Sequence, residues 1–348
     1  MRVAGDIDGA GVRQVRRRLA IKLAAAACVT AAALLVVVAA AVSSSTEKVR
    51  EISVQGGLPL GSTHELALGP DGDVWVTQQD QSRLVRITPE GEVRMFPLAP
   101  GLGPHGIAFD SRGHMWLALQ FVNEIAEVDL EGRIIHAYRI HEPAEPHGLA
   151  IDNDGSIWWT GKYGGGIGRL DPRTGRMKVF PLPDRYSQPI YITQGCGAMY
   201  FTELTNSTIG RITNNGQVKE YRTPTDPANG GSRPIAVAIR HCQVWFTEER
   251  GHMFGMLDPR TGKLTEYPLP IPNAALASLA FDRAGTLWLE VNEPDGVDAI
   301  GRVGVDMKVT LFDVPTRNAV LHRIILGPGD NMWFTELAAD KIGYITTR

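Results

Sequence analysis

Residues 149–183 read LAIDNDGSIWWTGKYGGGIGRLDPRTGRMKVFPLP, and residues 235–270 repeat the plan as IAVAIRHCQVWFTEERGHMFGMLDPRTGKLTEYPLP. Each copy contains four short apolar segments separated by turns, which predicts four β-strands per copy. The central aromatic residue recurs every 41 to 45 residues, at Trp75, Trp116, Trp158, Tyr200, Trp245, Trp288 and Trp333. A period of this length with four strands per repeat is typical of a β-propeller blade.

The two ends of the repeat region indicate how the ring closes. The last repeat stops at Arg348 after three strands, whereas residues 48–54, KVREISV, form an additional strand-like segment before the first repeat. An N-terminal strand that completes the last blade would remove the exposed edges of an open sheet. We therefore predict an all-β fold, a seven-bladed β-propeller over residues 47–348 that is closed by its N-terminal strand.

The N-terminal region predicts a membrane anchor. Residues 1–22 are basic, and residues 23–42 are uncharged throughout. Because a helix rises about 1.5 Å per residue, such a run is long enough to cross a bilayer. The basic flank should stay in the cytoplasm. We expect one transmembrane helix, a signal anchor, at 23–42, with the propeller extracytoplasmic at the cell membrane; the alternative is a signal sequence cleaved after residues 39–41, and secretion.

The charge distribution separates the N-terminus from the propeller. Residues 1–45 hold six basic and two acidic residues, which leaves 29 basic and 36 acidic residues in the remainder. An acidic domain repels the phosphate backbone, so nucleic acid is not an expected partner. We expect a monomer that binds a small molecule or a cyclic peptide and contacts the membrane through the N-terminal helix.

Two cysteines take the place of the usual Asp-Gly turn in adjacent repeats. Cys196 and Cys242 fall in the first hairpin turn of blades 4 and 5. Equivalent turns of neighbouring blades lie near each other, and an oxidising compartment permits a disulfide. The pattern is compatible with a bridge or with two free, small core residues.

Four of the nine histidines share one repeat position. Eleven residues before the aromatic, at the start of the innermost strand, the repeats carry His64, His105, His147 and His322. Blades 7, 1, 2 and 3 are consecutive in a closed ring, so these side chains should form one arc at the channel mouth. Imidazoles in such an arc can bind a divalent metal or transfer protons. The alternative is a consensus residue that caps the strand start.

The local context of two histidines resembles a known family. GPHGIAFD at residues 103–110 and EPHGLAID at residues 145–152, together with WFTE at 245–248 and 333–336 and IGRI at 209–212, resemble virginiamycin B lyase, the streptogramin-linearising enzyme family. The resemblance covers residues 47–348. It implies a seven-bladed propeller that confers antibiotic resistance by opening an ester bond of a cyclic depsipeptide through magnesium-assisted elimination.

The resemblance also implies site residues. By position, His105, Glu145 and His147 match the family's catalytic residues, with Glu145 and His147 as candidates for the Mg²⁺ shell and His64, His322 and Lys162 as candidates for substrate binding. A histidine would remove a proton alpha to the ester carbonyl while the metal stabilises the enolate-like charge. The family has a further glutamate where this chain has Lys162, and an ammonium group cannot replace a carboxylate as a metal ligand.

The remaining acidic residues are interpreted as structural. Glu203, Glu248 and Glu336 each end a strand at the same repeat position, and we expect them to form ion pairs with the basic residues that follow. A second function class stays open beside the enzyme: a non-catalytic extracytoplasmic propeller that binds a peptide, a glycan or a protein at the channel mouth.

Overall fold

A computed structural model describes residues 49–56, 61–142, 144–225 and 231–347. These residues form seven antiparallel sheets of four strands each, arranged as the blades of a β-propeller. The innermost strands contact one another around the ring, including the pair that joins blade 7 to blade 1. The predicted seven-bladed fold is confirmed.

Each blade runs from an inner strand at the channel to an outer strand at the rim. The inner strands are β2 (Thr63–Leu68), β6 (Pro104–Phe109), β10 (Pro146–Ile151), β14 (Pro189–Gly195), β18 (Pro234–Arg240), β22 (Ala275–Phe281) and β26 (Leu321–Leu326). The second strands, which carry the repeated aromatic, are β3 (Val74–Gln78), β7 (Met115–Leu119), β11 (Ile157–Gly161), β15 (Ala198–Glu203), β19 (Gln243–Glu248), β23 (Leu287–Asn292) and β27 (Met332–Glu336).

The outer half of each blade is formed by the third and fourth strands. The third strands are β4 (Arg83–Ile87), β8 (Glu124–Val128), β12 (Gly166–Asp171), β16 (Thr208–Ile212), β20 (Met253–Asp258), β24 (Ala299–Val303) and β28 (Lys341–Ile345). The fourth strands are β5 (Val93–Pro97), β9 (Ile134–Arg139), β13 (Arg176–Pro181), β17 (Val218–Arg222), β21 (Lys263–Pro268) and β25 (Val309–Asp313), and in blade 7 the N-terminal β1 (Val49–Ser53).

The N-terminal strand closes the ring as predicted. Strand β1 pairs antiparallel with β28, from Val49 opposite Ile345 to Ser53 opposite Lys341. A salt bridge of 2.6 Å from Lys341 Nζ to Glu51 Oε2 joins the same two strands. Strand β1 is therefore the fourth strand of the last blade and covers the edge of β28.

The core lies between the blades. Seven buried hydrophobic clusters each combine side chains from two neighbouring sheets. The repeated aromatic residues are fully or almost fully buried in these interfaces, except Trp245, which is partly buried. Large aromatic side chains contribute much of the burial energy of a core, so the period of the sequence is also the period of the packing.

The first hairpin turns explain the position of the cysteines. At the Asp-Gly turns of blades 1 and 3, Gly72 and Gly155 have φ values of 86° and 80°. In blades 4 and 5, Cys196 (φ 50°) and Cys242 (φ 60°) occupy this left-handed region, and their sulfur atoms form a disulfide with a Cα to Cα distance of 5.5 Å. The disulfide links the turns of two adjacent blades. Of the two alternatives left open by the sequence, the bridge is confirmed and the pair of free cysteines is wrong.

The predicted membrane anchor falls on residues that the structure does not describe. Residues 1–22 and 23–42, the basic segment and the anchor, lie outside the described residues. Within the described ranges, no helix has the length and apolarity needed to cross a bilayer.

Candidate functional site at the channel mouth

The inner strands of four consecutive blades bring the predicted histidines together. The distances between ring centroids are 5.1 Å for His322 and His64, 4.8 Å for His64 and His105, and 3.7 Å for His105 and His147. Around the ring, these residues belong to blades 7, 1, 2 and 3. The shared repeat position therefore produces a continuous arc of imidazoles.

A β-bulge orients these side chains. The pairing between inner and second strands shifts register between Thr63 and Leu66, and the other six blades have the equivalent shift. Residues inside a bulge leave the regular ladder, which re-aims their side chains. The histidines and the residues that follow them lie within these bulges.

A threonine on the second strand supports the bulge and links it to the next blade. The Thr77 hydroxyl accepts a hydrogen bond from the Glu65 N–H (3.1 Å) and donates one to the His105 carbonyl (2.8 Å). Thr335 does the same with the Arg323 N–H (3.0 Å) and the His64 carbonyl (3.1 Å). The threonine two residues after the repeated aromatic thus fixes the backbone of the neighbouring histidine.

Burial favours the uncharged form of three of the imidazoles, those of His64, His105 and His147. Desolvation lowers the pKa of His64 to about 3, with His322 and Lys162 as further causes. The pKa values of His105 and His147 are also well below the ordinary range, chiefly because both groups are buried and then because of neighbouring positive charge. Neutral imidazole carries one lone pair, which can accept a proton or bind a metal.

Backbone carbonyls determine the tautomers of two rings. The Nδ1 atom of His147 lies 2.9 Å from the Ile190 carbonyl oxygen, and Nδ1 of His322 lies 3.1 Å from the His64 carbonyl oxygen. A carbonyl only accepts, so each Nδ1 donates its hydrogen and Nε2 carries the lone pair. In contrast, the buried Nδ1 atoms of His64 and His105 have no hydrogen-bond partner among the residues that the structure describes.

A cavity of about 280 Å³ opens at this end of the channel. His147, His322 and Lys162 line it together with the charged residues Glu65, Arg233 and Glu249. Its apolar wall comes from the blades opposite the histidines and includes Ile190, Tyr191, Leu204, Ile235, Leu276 and Ala277. The cavity therefore has an imidazole-lined side and a mainly apolar side, on which the ion pair of Arg233 and Glu249 also lies.

Lys162 is the cavity cation that lacks a paired carboxylate. Arg233 forms a salt bridge with Glu249, whereas no carboxylate of the described residues lies within salt-bridge distance of Lys162. Desolvation lowers the Lys162 pKa, Glu145 partly opposes this shift, and Arg233 adds to it. A partly desolvated ammonium at this position can stabilise an anion in the cavity.

Glu145 lies apart from the channel cavity. Its side chain is exposed and lines a separate surface cavity with Gln120, Phe121 and Asn123. The Glu145 N–H donates to Asn123 Oδ1 at 3.0 Å, which holds this residue against blade 2. The predicted pair Glu145 and His147 thus faces two different cavities.

The ring nitrogens that come together at this site belong to His64, His105 and His322. Within the described residues, one possible ligand atom each from His64, His105 and His322 lie within 4.8 Å of one another, and neither Glu145 nor His147 belongs to this group. Mg²⁺ requires oxygen ligands in near-octahedral geometry. Three imidazoles beside the ammonium of Lys162 do not fit Mg²⁺.

Two channel residues were missed by sequence reasoning. Glu65 and Arg323 directly follow His64 and His322, are buried or nearly so, and form a salt bridge of 3.1 Å. The Arg323 guanidinium also lies 4.2 Å from the centroid of the Tyr191 ring. The sequence did contain a signal for this pair. The position after the histidine carries opposite charges in the adjoining blades 1 and 7, whereas blades 2 and 3 have glycine there.

The expected ion pairs of the strand-end glutamates are wrong. Glu203, Glu248 and Glu336 are fully buried, and within the described residues none forms a salt bridge. Desolvation raises their pKa values to about 7, about 8 and about 8, respectively. The basic residue that follows Glu336, Lys341, pairs with Glu51 instead. Burial therefore favours the protonated form of the three carboxyl groups.

Comparison with known proteins relates this chain to one family. A model described as the virginiamycin B lyase family matches residues 45–241 and 103–348. Virginiamycin B lyase of Nocardia farcinica is 26% identical over 244 residues, which cover 69% of this chain and 80% of the relative.

Solved structures agree with the family match. A streptogramin B lyase structure superposes with a TM-score of 0.78 at 27% identity, covering 87% of this chain and 99% of the other. Virginiamycin B lyase of Staphylococcus aureus gives 0.77 at 28% identity, with 86% and 99% covered. A catalytically inactive histidine-to-alanine variant of that enzyme, solved with quinupristin, gives 0.75 at 28% identity, with 86% and 99% covered. The chain belongs to the virginiamycin B lyase family.

Proposed function

We propose that this protein opens an ester bond of a cyclic depsipeptide or a related lactone by elimination, with His147 as the base. The observation that carries the proposal is the position of His147: it lines the cavity, and its Nδ1–H donates to the Ile190 carbonyl, which leaves the Nε2 lone pair available. A general base must present a lone pair within reach of the substrate proton.

The reaction needs one proton transfer and one bond cleavage. His147 removes a proton from a carbon alpha to a carbonyl, and the electron pair forms a carbon–carbon double bond. The bond between the neighbouring carbon and the ester oxygen breaks, and the ester leaves as a carboxylate. The ring becomes linear without addition of water, so the product has the mass of the substrate.

Lys162 supplies the positive charge that this step requires. Its ammonium lines the same cavity as His147 and lies at the position where the family has a glutamate. A cation in a poorly solvated site stabilises the negative charge that develops on the carbonyl oxygen. We assign no step to Mg²⁺, because the converging donors are imidazoles.

The other predicted residues have supporting roles in this proposal. The buried ring of His105 packs on His147 with 3.7 Å between centroids, which restricts the orientation of the base. His322 lines the cavity and is available to the substrate, whereas His64 lies beside it without lining that cavity. The apolar wall opposite suits the side chains of a cyclic peptide.

The location of the protein is also part of the proposal. A disulfide such as Cys196–Cys242 persists in oxidising compartments, which supports an extracytoplasmic propeller. Anchoring at the membrane through residues 23–42, or secretion after cleavage, and a monomeric state are proposed on the sequence. If streptogramins are the substrates, the protein confers resistance outside the cytoplasm.

Mass spectrometry tests the reaction directly. The purified full-length chain is incubated with a streptogramin B depsipeptide, in parallel with chelator and with Mg²⁺. A linear product of unchanged mass supports elimination, and its formation in chelator supports the role of Lys162. A product heavier by one water contradicts elimination, and an unchanged substrate contradicts the assigned substrate.

A further inference from the structure

We propose that His64, His105 and His322 bind a divalent transition metal of the Zn²⁺ class, in place of the Mg²⁺ that the family implies. The three side chains come from adjacent blades, and one nitrogen of each lies within 4.8 Å of the others. Imidazole nitrogen suits Zn²⁺, Cu²⁺, Ni²⁺ and Fe²⁺, whereas Mg²⁺ is bound by oxygen. The chemistry of the donors therefore selects the class of metal.

Unpaired nitrogen atoms indicate that the cluster is incomplete without a ligand. His105 is 2% exposed, and its Nδ1 has no hydrogen-bond partner in the described part of the chain; the same holds for the buried Nδ1 of His64. Leaving a buried polar atom unpaired costs about 1–3 kcal/mol. Two such atoms in one cluster of imidazoles are better explained by a bound cation than by packing alone.

The third ligand is already oriented. Because His322 Nδ1 donates to the His64 carbonyl, its Nε2 has the lone pair that a metal needs. Metal-binding histidines commonly donate their other ring N–H to a carbonyl or a carboxylate in this way. Glu65 Oε1, 3.9 Å from the same Nδ1, adds negative charge next to the cluster.

The arrangement leaves room for a further ligand. Three histidines with an open fourth position are typical of catalytic zinc sites, where water or substrate takes that position. His322 lines the channel cavity, so an exchangeable ligand would face this space. The proposal does not depend on the proposed reaction, because the cluster excludes His147.

Lys162 is the main electrostatic opponent of a bound cation. Its ammonium lowers the pKa of both His64 and His105, so it lies within electrostatic range of two proposed ligands. A dication would meet the same repulsion. Lys162→Glu, which restores a carboxylate here, should therefore tighten metal binding.

Metal binding by the full-length chain tests the proposal. Untagged protein is stripped with chelator and titrated with Zn²⁺ in a calorimeter, and Co²⁺ is added separately to record its visible absorption. We expect one Zn²⁺ per chain, Co²⁺ bands of a four- or five-coordinate site, and no displacement by excess Mg²⁺. Absence of stoichiometric Zn²⁺ binding, or displacement by Mg²⁺, would overturn the proposal.

Variants assign the ligands. Loss of one histidine should weaken Zn²⁺ binding by more than about 100-fold, the upper end for loss of an outer-shell partner. His322→Gln and His105→Gln are compared with His136→Gln, an exposed histidine on the outer strand β9 that should bind Zn²⁺ like the parent. Circular dichroism confirms folding; if His105→Gln is unfolded, His322→Gln decides. Unchanged affinity in a folded His322→Gln protein excludes the site.

Discussion

The two arcs of the propeller have the same scaffold and different inner residues. Blades 7, 1, 2 and 3 carry histidine in the inner-strand bulge, whereas blades 4, 5 and 6 carry Ile190, Ile235 and Ala277 near the same position. Both arcs keep the bulge and the repeated aromatic, which is buried in every blade except blade 5, where Trp245 is partly buried. The repeat consensus therefore builds the ring, and departures from it distinguish a polar, imidazole-lined side from an apolar side.

The largest effect is expected from a substitution in the histidine arc, compared with one just outside it. His147→Ala should lower turnover of a depsipeptide by about 10²- to 10⁴-fold, the contribution of a general base. Glu145→Gln should cause a smaller loss, because this exposed side chain lines a different cavity. Product formation is followed by mass spectrometry, with His136→Ala as the matched control.

The result can contradict the assignment in two ways. Equal loss in the His147 and Glu145 variants would show that both residues act on the substrate and that the two cavities join during turnover. Full activity of His147→Ala would place the base elsewhere in the arc.

The second prediction concerns the opposite arc. Cys196→Ser with Cys242→Ser should reduce the free energy of unfolding by about 2–4 kcal/mol, since the bridge closes a long loop with a sequence separation of 46 residues. Denaturant titration of the parent, with and without reductant, is the matching measurement. Turnover by the folded variant should stay at the parental level; a large loss of turnover would show that the arcs are coupled.

Much of this comparison follows from the sequence. The recurring aromatic predicted the number of blades, the extra strand predicted the closure, and the shared histidine position predicted the arc. These predictions succeed because successive repeats in the sequence become successive blades of the ring. Glu65 and Arg323 were missed because a shared repeat position does not by itself show that two side chains of neighbouring blades meet, as these do in a salt bridge of 3.1 Å. Glu145 shows the reverse limit: two residues from His147 in sequence, it faces another cavity because the chain turns at a residue with φ of 48°.

The third prediction uses the buried carboxyl groups of blades 4, 5 and 7. Their ordinary pKa is 4.5, and burial raises the pKa of Glu203 to about 7 and those of Glu248 and Glu336 to about 8. The unfolded chain releases these protons near pH 4.5, while the folded chain retains them. The contribution of these groups to the free energy of unfolding is therefore fully present below about pH 4.5. It is lost as the pH rises through the pKa values of the folded protein.

Denaturant titrations at pH 5 and pH 9 measure this effect. Glu203→Gln should reduce the loss of stability between the two values by about 1–3 kcal/mol, because a neutral amide cannot ionise. Glu131→Gln, at an exposed position, should leave the slope unchanged. An identical slope in the Glu203 and Glu131 variants would show that Glu203 is ionised in the folded protein.

The prediction with the smallest expected effect gives the most direct comparison of the two arcs, because the same substitution is made in each. Thr77 donates to the His105 carbonyl and Thr247 to the Ala277 carbonyl, both at 2.8 Å, and each accepts from the N–H of its own bulge. Thr77→Val and Thr247→Val should each lower the free energy of unfolding by about 1 kcal/mol. Thr77→Val should in addition weaken Zn²⁺ binding by about threefold to tenfold, at the low end for an outer-shell contact. Because Thr247 supports an alanine instead of a histidine, its variant should bind Zn²⁺ as the parent does; equal weakening in both would mean that the whole ring, rather than the histidine arc, sets the geometry of the channel.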